Sequence, residues 1–212
     1  MLEYVFTDVQ NASVFYQGDK ATIYLPENNT TEECLTHELL HLFIETKEII
    51  VCDLIEGLIR EKVLLNQVLS NDLVSHMTNC INHIKMLPIF IEMGYDKKDF
   101  LADSLENKCE ISFAKEINKK FRFLFIYNKS AIDLFIGKYF AIKADVSDID
   151  YSKQLLILSE TDEKLYDILD SFWTKWLKYD IEKNDSVTYW SDDFAGDFIT
   201  ILGDWMRKKI MI

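Results

Sequence analysis

Thr36-His37-Glu38-Leu39-Leu40-His41-Leu42 is the segment of this chain whose residue types and spacing can do chemistry. Two histidines four residues apart on a helix lie on one face, and their imidazole nitrogens can hold one zinc ion. The glutamate beside the first histidine can then reach a water on that ion and act as general base. The chain has four histidines, and two of them are here. The other two, His76 and His83, fall together on a second predicted helix, so a three-histidine zinc site is within its means.

A catalytic zinc needs a third protein ligand and an open position. His76 and His83 are two helical turns apart, with Asn79 between them on nearly the same face. Polar groups on such a face need partners if they are buried, and a metal with its surrounding hydrogen bonds would supply them. His83 is favoured because it sits near the expected helix end, before Pro88. His76 is then a substrate contact or a histidine bonded to a backbone carbonyl. Glu56 and Glu61 on an intervening helix are the alternatives, although surface positions suit them equally. Cys34, one turn before His37, and Cys80, four residues after His76, are better read as small buried hydrophobes than as ligands.

The elements around the motif must position it. Tyr4-Val5-Phe6, Ser13-Val14-Phe15-Tyr16 and Ala21 to Leu25 read as short strands, with Gln17-Gly18-Asp19-Lys20 as a hairpin turn. Pro26 to Asn29 reads as a turn. Thr30 fits a helix N-cap, with Glu33 completing a capping box. The motif helix runs from Thr31 to Thr46, with Leu35, Leu39, Leu42 and Phe43 as its apolar stripe. Further helices are expected over Asp53–Asn66, Asn71–Met86 (ended or kinked by Pro88), Lys97–Ser104, Ala131–Lys143, Glu163–Lys178 and Asp192–Lys209. Gly94-Tyr95-Asp96 reads as a break, and Phe121 to Tyr127 suits either a strand or a buried helix.

Composition sets the class. Among 212 residues, 49% are hydrophobic and 13% aromatic, with only six glycines and two prolines, which indicates a folded, helix-rich chain. A net charge of −13 disfavours nucleic acid, whose phosphates would meet a negative surface. The four cysteines include no CxxC pair, and no leader-like or membrane-length apolar run is visible, so a cytoplasmic protein with reduced thiols and no membrane partner is expected.

Through His37-Glu38-Leu39-Leu40-His41 and the strand-turn-helix before it, the chain resembles the zincin superfamily of zinc metallopeptidases, and more loosely small bacterial HExxH proteins over His83 to Tyr95. The likeness covers about a quarter of the chain. The glycine and third histidine of the extended HExxHxxGxxH pattern are absent after His41, which sets the chain apart from the usual metzincins. The resemblance implies peptide-bond hydrolysis of a protein or peptide substrate, with Zn2+ on His37, His41 and His83, Glu38 as catalytic base, and an oxyanion donor for which His76, Tyr95 and Tyr127 are candidates by type. The expected architecture is α+β and mostly helical: a small N-terminal antiparallel sheet, the HExxH helix and a helical C-terminal half. It is read as one zincin-like domain over 1–212, with 1–106 carrying the metal site and 107–212 a helical extension. The rival reading is an inactive zincin-like scaffold that binds a protein partner, with Trp173, Trp176, Trp190 and Trp205 either as anchors for it or as core.

Overall fold

Alternating apolar residues at the N-terminus form three strands in the computed structural model of the chain: β1 (Leu2–Thr7), β2 (Ser13–Gln17) and β3 (Lys20–Pro26). The structure describes residues 1–9, 12–17, 20–28, 30–47, 50–181 and 187–212, and the side chains of all of these except 16, 17 and 187–192. Strands β2 and β3 are antiparallel, with Gln17 opposite Lys20. The central residues of the expected turn between them, Gly18 and Asp19, lie outside the described residues, as does Asn29 of the next turn. The sheet is mixed, not wholly antiparallel, because β1 runs parallel to β3 in the order β1-β3-β2. Alternation sets which face of a strand is apolar but not its direction. Here the chain reverses between β1 and β2, and β3 then inserts between them.

Helix α1 (Glu32–Thr46) carries the HExxH motif. Its N-cap is Thr31, one residue later than expected: the Thr31 side chain accepts from the Cys34 N–H, while the Thr30 hydroxyl donates to the Pro26 carbonyl at 2.6 Å. The face of α1 turned to the core carries Leu40 and Ile44, whereas Leu35, Leu39, Leu42 and Phe43 are half-buried. The single helix expected over Asp53–Asn66 is two, α2 (Val51–Glu61) and α3 (Val63–Val68), broken where Lys62 turns extended. Val51, Ile55 and Ile59 bury one side of α2, and the break lets Leu65 and Val68 reach the core as well.

Helix α4 (Asn71–Glu92) runs through Pro88. A proline inside a helix costs about 3 kcal/mol. The turn beyond it is held by Phe90, which is fully buried and stacks on Tyr95. The helix stops instead at Gly94, whose φ of +98° is open to glycine and strained for a residue with a Cβ. The expected helix over Lys97–Ser104 shrinks to a 3₁₀ turn at Lys97–Asp99.

The rest is helical, with α5 (Ile111–Phe121), α6 (Lys129–Lys143), α7 (Ser152–Thr161), α8 (Glu163–Lys178) and α9 (Val187–Arg207). The sequence patterns had not marked α5 or α7. The ambiguous aromatic run is a hairpin, β4 (Arg122–Phe123) and β5 (Ile126–Tyr127), joined in parallel by β6 (Ile210–Met211). The fold is thus α+β and mostly helical.

One continuous apolar cluster extends from Leu40 of α1 to Met206 of α9. Trp173, Trp176 and Trp205 lie fully inside it, so these three are core residues; the side chain of Trp190 is outside the described set. Two contacts tie α4 to the C-terminal helices. Trp176 Nε1 donates to the Ile81 carbonyl at 2.8 Å. Buried Lys85 donates to the carbonyls of Tyr179 (2.7 Å) and Leu177 (3.3 Å) and lies over the Trp176 ring. Among the described residues, no helix is long and apolar enough to cross a membrane.

Candidate metal centre

Helix α1 crosses α4 so that the face bearing His37 and His41 meets the turn bearing His83. The three imidazoles form a triangle, with ring centroids 5.0 Å apart for His37–His41, 4.8 Å for His37–His83 and 5.3 Å for His41–His83. One ligand nitrogen from each lies within 4.8 Å of the other two, and this group can hold a metal ion. Phe100, just past the 3₁₀ turn, packs against His37 and His83 at centroid distances of 4.7 and 5.5 Å. Its own backing is Phe90, whose place in the core is secured by the turn beyond Pro88.

Burial keeps these imidazoles neutral. Desolvation lowers His37 to about 4, offset slightly by the nearby Phe100 backbone, and lowers His41 to about 3 with help from His37. His83 is pushed well below the ordinary histidine value, first by burial and then by its two neighbours. A metal ligand must present an unprotonated nitrogen, and all three do. The Nδ1 of His37 is buried without a hydrogen-bond partner. Buried polar atoms are rarely left so, and an ion is one group that would satisfy it.

Zinc–nitrogen bonds of about 2.0–2.1 Å in a tetrahedral array place ligand nitrogens about 3.3 Å apart. The present separations are within about 1.5 Å of that, and three neutral imidazoles are a donor set that catalytic zinc uses. The residues therefore fit a zinc ion.

Glu38 is buried beside the triangle, 7% exposed. The backbone N–H of Val14, on the sheet edge β2, faces its carboxylate and favours the ionised form by hydrogen bonding. Desolvation outweighs that bond and raises Glu38 to about 7. His37, Glu38, His41 and His83 all line a cleft of about 1150 Å³, walled by Ala12–Val14 on one side and Lys98–Asp103 on the other. Its remaining carboxylates are Glu33, Glu45, Asp53, Glu56, Asp99 and Asp103, and Lys98 is the single basic side chain among the described lining residues.

The other candidates lie elsewhere. His76 turns toward α6, its Nε2 3.3 Å from the Gly137 carbonyl. Glu56 borders the cleft but pairs with Arg60 on its own helix, and Glu61 is exposed. Neither glutamate, and neither Cys34 nor Cys80, joins the histidine group. The Tyr95 hydroxyl accepts from Thr36 and donates to Glu32 at 2.8 Å, so it is committed. Tyr127 sits in the second sheet, where its hydroxyl accepts from Lys209 at 2.9 Å. Sequence patterns did not single out Phe100 or Val14. Phe100 carried a faint signal, as an aromatic directly after the charged run Lys97-Lys98-Asp99.

Comparison with known protein families, with curated proteins and with solved structures found no match to this chain.

Proposed function

We propose that this chain is a zinc-dependent metallopeptidase. The reading is carried by the convergence of His37, His41 and His83 beside the buried carboxylate of Glu38, in a cleft large enough for a peptide. When bound, zinc supplies the Lewis acidity that polarises a carbonyl and makes water a nucleophile near neutral pH. Glu38 takes the proton of the attacking water and returns it to the leaving nitrogen. The Val14 N–H favours the ionised carboxylate that takes the first proton. The β2 edge and the Lys98–Asp103 wall confine an extended segment between them. With six further carboxylates and one lysine along the walls, the cleft favours a substrate carrying Lys or Arg. Lys98, the one basic side chain among the described lining residues, is the candidate donor for a developing oxyanion, because the backbone N–H groups of Lys98, Asp99 and Phe100 are spent within their own turn.

The test is metal content of protein purified without added metal, in wild type, His83→Ala and His76→Ala. About one zinc per chain is expected in wild type and in His76→Ala, with affinity reduced by roughly 100-fold or more in His83→Ala. A wild-type chain that takes up no zinc when it is offered would sink the proposal.

A further inference from the structure

The sheet β4-β5-β6 turns one face to the core and the other to solvent. Tyr127 lies on the inner face, packed against Phe121 and Trp205. Outward positions of a solvated sheet are ordinarily polar. Here they are apolar: Phe123 pairs with Ile126, and Ile126 with Ile210, in a row across all three strands. Phe123 is 77% exposed, and the two loop residues that follow, Leu124 and Phe125, are 73% and 80% exposed.

The turn is also built against local preference. Leu124 has a φ of +54°, the one non-glycine residue with positive φ among those described. Two-residue hairpin turns fill such positions with Gly, Asn or Asp, and a bulky side chain there is an outlier that stability alone does not explain. The sequence retains a large apolar group at the tip despite that strain.

Charge identifies what the tip meets. Residues 119–129 and 207–212 build this corner, and they contain seven cations, Lys119, Lys120, Arg122, Lys129 and Arg207–Lys209, with no Asp or Glu, in a chain of net charge −13. Glu116 and Asp204 on the adjoining helix turns pair with Lys120 and Arg207, and Asp162 lies near Lys209. Lys119, Arg122 and Lys208 remain exposed around the hairpin. With screening beyond about 8 Å, an anionic surface approached by this corner meets these cations and little of the distant negative charge.

We propose that the Phe123-Leu124-Phe125 hairpin is a membrane-docking wedge that seats the protein peripherally on anionic lipid. The three tip side chains offer on the order of 400 Å² of apolar surface. That is half of the ~800 Å² each partner of a standard protein interface buries. It suits insertion at the headgroup–acyl boundary, where a modest apolar group and a cationic rim act together. This docking is independent of the chemistry in the cleft.

The experiment is co-sedimentation with phosphatidylcholine vesicles, with and without about one-third phosphatidylserine, near 0.15 M salt. Wild type is expected to bind the anionic vesicles roughly tenfold better than the neutral ones. The triple substitution Phe123→Ser, Leu124→Gly, Phe125→Ser is expected to lose that binding with its helical circular dichroism intact. Lys119→Gln with Lys208→Gln is expected to remove most of that roughly tenfold preference for anionic vesicles. Wild-type binding equal to the triple variant's would overturn the proposal. So would a wild-type dimer in sedimentation velocity that the triple variant abolishes without any change in vesicle binding, which would assign the face to a second copy of the chain.

Discussion

The two small sheets share a plan, each joining one antiparallel and one parallel pair, and each leaves aromatic side chains in solvent. Phe6 and Phe15 of the first are both 60% exposed, close to the figures for the second. Their electrostatic settings differ. Glu3 and Asp8 stand with Lys20 along the first sheet, whereas around the hairpin of the second cations outnumber their acidic neighbours Glu116, Asp204 and Asp162. The first sheet also brings a polar backbone edge to the cleft, where Val14 bonds Glu38. The second offers exposed apolar side chains at its hairpin tip, Phe123, Leu124 and Phe125. Exposure of apolar groups is therefore a poor guide to role until the neighbouring charge and the direction of the backbone groups are considered.

The largest effect should come from the site the first sheet serves. Glu38→Gln is expected to lower peptide hydrolysis by ~10²–10⁴-fold while zinc content and vesicle binding stay at wild-type levels; undiminished turnover would remove Glu38 from the mechanism. Val14→Pro deletes the edge N–H that the carboxylate accepts. Because that N–H points away from the sheet, an edge strand tolerates the change. About a tenfold loss in kcat with metal retained is expected, matching one hydrogen bond to a charged group. An unchanged kcat would show that the first sheet is only a wall. The smallest effect belongs to the second sheet. Leu124→Gly relieves the left-handed strain and should raise stability by ~0.5–1 kcal/mol in urea denaturation. A loss of stability instead would mean that the Leu124 side chain packs usefully at the tip.

The bounds of the motif helix were legible to within a residue from the strand, turn and threonine pair before it, although its cap is Thr31 and not Thr30 and its core face is Leu40 and Ile44 and not the expected stripe. The choice between His83 and His76 was harder. Seven-residue spacing puts both on one face, but one end of α4 packs on α1 and the other on α6, a long-range fact that local pattern does not contain. Pro88 signals a stop, and Phe90 overrides it from the core. The Val14–Glu38 bond was invisible because backbone donors look alike in sequence. The run Phe121 to Tyr127 suits either a strand or a buried helix, because a nearly unbroken apolar run has no period to choose between them. Only the hairpin geometry reveals that Phe121 and Tyr127 go inward while Phe123 to Phe125 go out.

The hydrogen bonds from Trp176 to Ile81 and from Lys85 to Tyr179 bear on the order in which the chain is made. Every histidine of the triangle has been synthesised by residue 83, yet the helix presenting His83 is backed by residues added 94 and 95 positions after their partners. Until α8 docks, the rear of α4 lacks these two anchors, and the placement of His83 rests on its other contacts, Phe100 and the α1 histidines among them. A nascent chain would thus carry all three ligands before α4 has its full backing, and the helix presenting His83 is braced from behind only once the C-terminal helices have been made.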